Sequence, residues 1–270
     1  MLRALPLLLA VDSSAAAPAA TTPCALSNVL GSHMVLQRAP ASAMVWGFAP
    51  PGTGVKTTLA GLSGLTSVAD AAGVWRQALP PQPASSTGTN ITFSCTTGEA
   101  FALADILFGE VAVCGGQSNM QFSLTQIGFQ DGYNATQETL EADAYPQVRT
   151  MTVGEFATSY APLQQLAVAP LLRWSVANST TIGLGNWSAT SAVCWFYGRY
   201  LFDQLQVPIG LVSSNWGGTI IQSWMDNATN AQCGPAEAPS QETLEAPLAF
   251  ADPTFGAGSG PNPNTGFGVL

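Results

Sequence analysis

At 270 residues, 47% of them hydrophobic, the chain can bury one large core or two modest ones, which excludes disorder throughout. Only 9% of residues are charged, and the net charge is -9 with seven Lys and Arg, so the chain has no positive footprint for nucleic acid or an anionic membrane. A surface poor in charge and rich in Gly, Pro, Ser, Thr, Ala and Asn suits glycans and other uncharged polar ligands.

Arg3, the apolar stretch Ala4 to Val11 and the small residues Ala15, Ala17 and Ala20 follow one another in the order of a secretory signal peptide over residues 1–20. A disordered Ala-rich leader is the plainer alternative. The stretch is too short to span a bilayer, which needs about 20 apolar residues. Asn-x-Ser/Thr sequons at Asn90, Asn134, Asn178, Asn186 and Asn227 agree with a secretory route and are the candidate glycosylation positions. The expected location is secreted, extracellular or lysosomal/vacuolar. Five cysteines, Cys24, Cys95, Cys114, Cys194 and Cys233, show no metal-ligand spacing, and none of the sequence implies a metal. Cys114 and Cys194 lie in apolar runs and read as small buried hydrophobes. Cys24, Cys95 and Cys233 are the disulfide candidates, with the pairing left open.

Residues 24–105 hold short β-type runs: Met34 to Leu36, Met44 to Trp46, Val55 to Leu59, Val74 to Leu79 and Ile91 to Cys95. Turn formers such as Pro50-Pro51-Gly52 separate them, which predicts a small all-β sandwich. The texture changes over 106–234. Ile106 to Phe108 and Val111 to Cys114 are near-continuous apolar runs ending in Gly115-Gly116, the pattern of a strand buried on both faces. Ser191 to Gln206 spaces Val193, Phe196, Tyr197, Tyr200, Leu201 and Leu205 as one face of an amphipathic helix, stopped by Pro208. Ile209 to Ser213 then reads as a second buried strand. Strand, helix, strand is the unit of a parallel α/β sheet. The region from Asn134 to Asn186 is too mixed to assign, and 235–270 is a Gly/Pro-rich tail without periodicity.

The sharpest chemical feature is Gly115-Gly116-Gln117-Ser118-Asn119-Met120, at the end of a buried strand. Ligands of open parallel sheets gather at the carboxyl ends of strands, so Ser118 on a glycine-permitted turn is presented to a crevice. Its backbone N–H at the following helix start can help hold an oxyanion. That is a placement for acyl transfer; the plainer reading is a polar turn between strand and helix.

The run Phe108 to Met120 resembles the nucleophile block of sialate O-acetylesterases, members of the SGNH hydrolase superfamily. Met34-Val35-Leu36-Gln37-Arg38 and Gly73-Val74-Trp75 are similar to stretches of the β domain of that family. Ile209 to Thr219 with Ser223-Trp224-Met225 is similar to its second conserved block. The resemblance implies an α/β fold: an N-terminal β-sandwich followed by a partial SGNH three-layer domain with a parallel sheet. It also implies Ser118 as nucleophile, an oxyanion hole from Ser118 and either Gly217 or Gly218, no cofactor, and O-acetylated sialic acid or another acetylated glycan as substrate.

The third block of that family, which supplies an oxyanion Asn, and its Asp and His have no counterpart after Trp224, so the expectation is a truncated serine ester hydrolase. A serine hydroxyl needs a base with an orienting partner. The single histidine, His33, lies in the β region and reads as a loop residue without a catalytic role. Two functional classes follow: a serine esterase incomplete as it stands, whether completed by another polypeptide or left as a gene-model fragment or degenerate copy, or a non-catalytic glycan-binding or interaction module derived from that family.

Overall fold

The computed structural model describes residues 23–127, 134–155, 157, 159, 162–183, 185 and 190–233. The leader over 1–20, Asn186 and the tail over 235–270 lie outside the described residues.

The β half carries β1 (Ala25–Leu26), β2 (Val35–Gln37), β3 (Met44–Phe48), β4 (Gly54–Leu59), β5 (Leu62–Val68), β6 (Val74–Ala78) and β7 (Ser85–Cys95). β8 (Ala100–Gly116) follows, then α1 (Ser118–Gln121), α2 (Leu124–Ile127), α3 (Ala135–Glu141), β9 (Val148–Thr152), β10 (Leu172–Val176) and α4 (Ser179–Ile182). The last described elements are α5 (Ala192–Leu205), β11 (Ile209–Asn215), a 3-10 turn (Ile221–Trp224) and α6 (Asn227–Cys233). The unassigned region between Asn134 and Asn186 thus contributes α3, β9, β10 and α4.

Among the described residues the strands form two sheets. One orders β1-β3-β6; the other orders β10-β9-β11-β8-β7-β4-β5, with β2 also on β8. β8 belongs to both halves of the molecule. Its first part pairs antiparallel with β7, from Ser94↔Ala100 to Ser85↔Phe108, and its last part pairs parallel with β11, from Ile209↔Glu110 to Asn215↔Gly116. The boundary expected between residues 105 and 106 falls inside this strand, at Asp105, whose φ is 55°. Glu110 ties the halves together: it accepts from Gln37 Nε2 at 3.0 Å and Arg38 Nε at 2.7 Å, and these bonds, Gln37 first, hold its carboxyl below the usual range.

Trp75, Phe93 and Phe101 cluster in the β core, Phe93 and Phe101 stacked with centroids 5.2 Å apart and Trp75 tilted against Phe93 at 5.6 Å. Met151 and Trp174 from the second half join the same cluster. A second cluster packs α5 against β11 and β9.

Three expectations are corrected here. The face of α5 that packs is Ala192, Cys194, Trp195 and Gly198, whereas Val193, Tyr197, Tyr200 and Leu205 are exposed. Size explains it: an added Cβ at Gly198 would stand 2.5 Å from Leu211 Cδ1, so the helix seats its smallest residue on the sheet and turns the aromatic stripe outward. Val113 is 71% exposed, so the end of β8 is not buried on both faces; no described element covers that side. Cys114 and Cys194 are not free thiols but form a disulfide joining β8 to α5, alongside the Cys24–Cys95 bridge. Their apolar surroundings misled, because a buried strand and the helix packed on it bring two cysteines within the 5.8 Å Cα separation a bridge needs. The side chain of Cys233 lies outside the described residues.

Candidate active site

Two turns meet at the carboxyl edge of the parallel sheet. β8 ends at Gly116 and the chain enters α1 through Gln117, while β11, one strand over and in register, ends at Asn215 and enters the Trp216-Gly217-Gly218 turn. Trp216 N–H donates to Gly116 O at 3.0 Å and fixes one turn against the other. Gly218 has φ 79°, a left-handed value that favours glycine. At Gly217 an added Cβ would lie 3.4 Å from Ser118 Cβ and 3.0 Å from Gln121 Oε1, so the absent side chain is what lets the turn close on Ser118. Ser118 is half-buried and open to the crevice.

Three donors converge on one point beside it. Ser118 N–H at 3.3 Å, Ser118 Oγ–H at 3.1 Å and Gly218 N–H at 3.3 Å all reach Gln117 Oε1. Gly217 N–H points elsewhere, donating to Gln121 Oε1 at 2.7 Å. Gln121 is buried and its Nε2 donates to Glu155 Oε1 at 2.5 Å. Burial pushes the Glu155 carboxyl up, against the opposing pull of the Gln121 hydrogen bond.

His33 sits elsewhere. Its Nδ1 is 2.8 Å from Asp105 Oδ2, and Arg149 donates to the same oxygen at 2.6 Å. Burial pushes the Asp105 carboxyl up, but the bonds from Arg149 and His33 outweigh it and hold it below the usual range. Asp105 and Gly116 are eleven residues apart on β8, roughly 36 Å of strand at about 3.3 Å per residue, so His33 has no path to the Ser118 hydroxyl.

A cavity of about 380 Å³ opens at the ends of β9 and β11, lined by Trp46, Val153, Gly154, Gln164, Leu166 and Ser214. The segment after β9 builds its outer wall by returning to the β half: Trp46 Nε1 donates to Gln164 O at 2.7 Å, and Leu166 bonds the Asn28 amide both ways at 2.9 Å. Glu155 follows directly on the Val153-Gly154 lining. Among the described residues no group of three or more His, Cys, Asp or Glu is placed to hold a metal ion, and no helix is long and apolar enough to cross a membrane.

Of the sequon residues, Asn90 and Asn134 are exposed. Asn178 caps α4, its Oδ1 accepting from Thr180 and Thr181 N–H and its Nδ2 donating to Val176 O at 3.2 Å. The side chains of Asn186 and Asn227 lie outside the described residues.

Gln117, Gln121 and Glu155 are the polar groups around Ser118 that sequence reasoning missed. Gln121, three residues after Ser118, was within reach of helical spacing; nothing local marks Glu155.

No family model matches the chain. Sialate O-acetylesterase of Mus musculus is 38% identical over 215 residues, 77% of this chain and 38% of that protein. The Homo sapiens protein is 37% identical over 221 residues, 77% of this chain and 40% of that one. A carbohydrate acetylesterase from Xanthomonas citri superposes with a TM-score of 0.67 at 29% identity, over 78% of this chain and 44% of that chain. The chain thus spans about two fifths of the length of the curated relatives it matches. With ordered blocks of resemblance, an identity of 35–38% to four such relatives and a solved acetylesterase sharing its architecture, the chain belongs to the sialate O-acetylesterase family.

Proposed function

We propose that this chain carries the nucleophile side of a carbohydrate O-acetylesterase, acting on O-acetyl groups of sialic acids or related acetylated sugars. The observation that carries this reading is the convergence of Ser118 Oγ and the N–H groups of Ser118 and Gly218 on one point, now filled by Gln117 Oε1. A nucleophile beside two backbone donors is what acyl transfer requires.

Ser118 Oγ attacks the acetyl carbonyl carbon, its proton passing to a base. The carbonyl oxygen takes the place of Gln117 Oε1, and its developing charge is held by the Ser118 and Gly218 amides. Gly218 is favoured over Gly217 because the Gly217 amide is already committed to Gln121. The C–O bond to the sugar then breaks, the sugar oxygen leaves with a proton, and water hydrolyses the acetyl-serine. The cavity at the ends of β9 and β11, lined by Trp46 and Ser214 but not by Ser118 or Gly218, is large enough for a sugar ring. Serine acyl transfer calls for neither a metal nor an organic cofactor. The base is the part the described residues do not bring to Ser118, and this reading draws it from outside them. The secretory route, with glycans on exposed Asn90 and Asn134, belongs to the same proposal.

A serine-directed fluorophosphonate tests it: covalent label on Ser118 of the folded chain, absent in Ser118→Ala, supports the reading, and an unlabelled wild-type chain refutes it. The engagement of His33 by Asp105 favours a second reading, a module that binds acetylated glycans without turnover. That reading expects sugar binding to survive Ser118→Ala and no acetate release under any condition.

A further inference from the structure

Gly217 N–H, Gln121 and Glu155 form a chain of hydrogen bonds running from the crevice turn into the protein. Gln121 Oε1 accepts from Gly217 N–H at 2.7 Å, and Gln121 Nε2 donates to Glu155 Oε1 at 2.5 Å. The three residues come from three places: the turn after β11, the last residue of α1, and the segment after β9. Each end of the Gln121 amide is thereby used, so the side chain cannot flip without losing both bonds. Gln121 is 4% exposed, and an amide buried this deeply is held in one orientation by its partners. Ser118 opens the same helical turn that Gln121 closes.

The consequence falls on the neighbouring amide. The Gly217 N–H lies in the 216–217 peptide plane and the Gly218 N–H in the next one, hinged to it at the Gly217 Cα, so anchoring the first plane holds one side of that hinge and restricts where the Gly218 N–H can point. We infer that Gln121 and Glu155 are positioning residues, which aim the 217–218 turn so that the Gly218 amide faces the point where Ser118 delivers its hydroxyl. Neither side chain touches the substrate. The inference rests on the esterase reading for its chemical meaning, but the bond chain itself can be tested without it.

The test has two independent readouts on the full chain. Hydrogen exchange of the Gly217 amide, followed by NMR on 15N-labelled protein, reports the bond chain; the rate at which fluorophosphonate labels Ser118 reports its effect on chemistry. Gln121→Met keeps the volume and removes both bonds, and should raise Gly217 exchange and slow labelling by about tenfold each, the size of one or two net hydrogen bonds. Glu155→Leu should act the same way, and Glu155→Gln should rescue it, because a neutral amide oxygen still accepts from Gln121. The exchanged pair Gln121→Glu with Glu155→Gln reverses the donor and acceptor across the inner bond and should also restore slow Gly217 exchange, which a role in packing alone does not predict. Unchanged exchange in Gln121→Met, or a swapped pair as impaired as Glu155→Leu, overturns the inference. A chain whose Gly217 exchange responds as described while Ser118 never labels refutes the esterase reading and leaves the bond chain standing.

Discussion

Breaking the Cys114–Cys194 bridge is the perturbation whose size the structure predicts most directly. The bridge closes a loop with a sequence separation of 80, and the Cys24–Cys95 bridge closes one of 71. In the chain-entropy account, a loop of that length removes about 15 cal/mol/K from the unfolded ensemble, or roughly 4.5 kcal/mol near room temperature. The two loops do not overlap in sequence, so each constraint acts on a different part of the unfolded chain and their effects should add. Cys114→Ala with Cys194→Ala is therefore expected to lower unfolding stability by about 4 kcal/mol, which at an m-value near 3 kcal/mol/M is a fall of over ~1 M in urea midpoint. The assay is urea unfolding under non-reducing conditions, repeated in a background lacking the Cys24–Cys95 bridge. A loss below about 1 kcal/mol, or a loss that vanishes in the second background, would refute the loop-entropy reasoning.

Other outcomes follow from single contacts. Gly217→Ala places a methyl 3.0 Å from Gln121 Oε1 and 3.4 Å from Ser118 Cβ, so Ser118 labelling should slow by about tenfold while the melting temperature moves little. Gly198→Ala gains about 1 kcal/mol of helix propensity but drives a methyl within 3 Å of three atoms of fully buried Leu211; overpacking of about 1–3 kcal/mol should win, and thermal unfolding should show a lower midpoint. Burial raises the Glu155 pKa above its unfolded value, so folding favours the protonated acid: that stability is complete below the unfolded pKa and is lost as pH rises through the raised one. Glu155→Gln should thus melt like the wild type near about pH 4 and at a higher temperature near about pH 8; equal melting at both would contradict the buried-carboxylate account.

The fold was readable where the local pattern and the tertiary environment agreed. β3, β4, β6 and the end of β7 fell on alternating or β-branched runs bounded by turns, and β11 on a continuous apolar run between two covered faces. α5 was readable as a helix but not in its facing. Bulk drew the reading to Val193, Tyr197 and Tyr200, yet contact with a sheet is decided by how near the helix axis can come, and there Gly198 and Ala192 prevail. β8 was divided in the sequence reading because Asp105, with its positive φ, interrupts the apolar run, although the hydrogen-bonded strand passes through it from one half to the other. The disulfide hid for the same reason: both cysteines looked like ordinary core residues, and only the packing of α5 on the sheet makes them neighbours.

The site divides along a similar line. A side chain offered on a turn is written in consecutive letters, so Ser118 stood out, whereas Gly217 and Gly218 entered only through the resemblance of Ile209 to Thr219 to a family block. What those glycines do is carried by N–H directions, which every residue but proline possesses and no letter records. Sequence therefore could not choose between Gly217 and Gly218. The proposed reading takes Gly218 because Gln121 occupies the first amide, and Gln121 is held by Glu155, 34 residues further along the chain. The least legible residue of the site is thus Glu155, which reaches the 217–218 turn only through Gln121, by two hydrogen bonds.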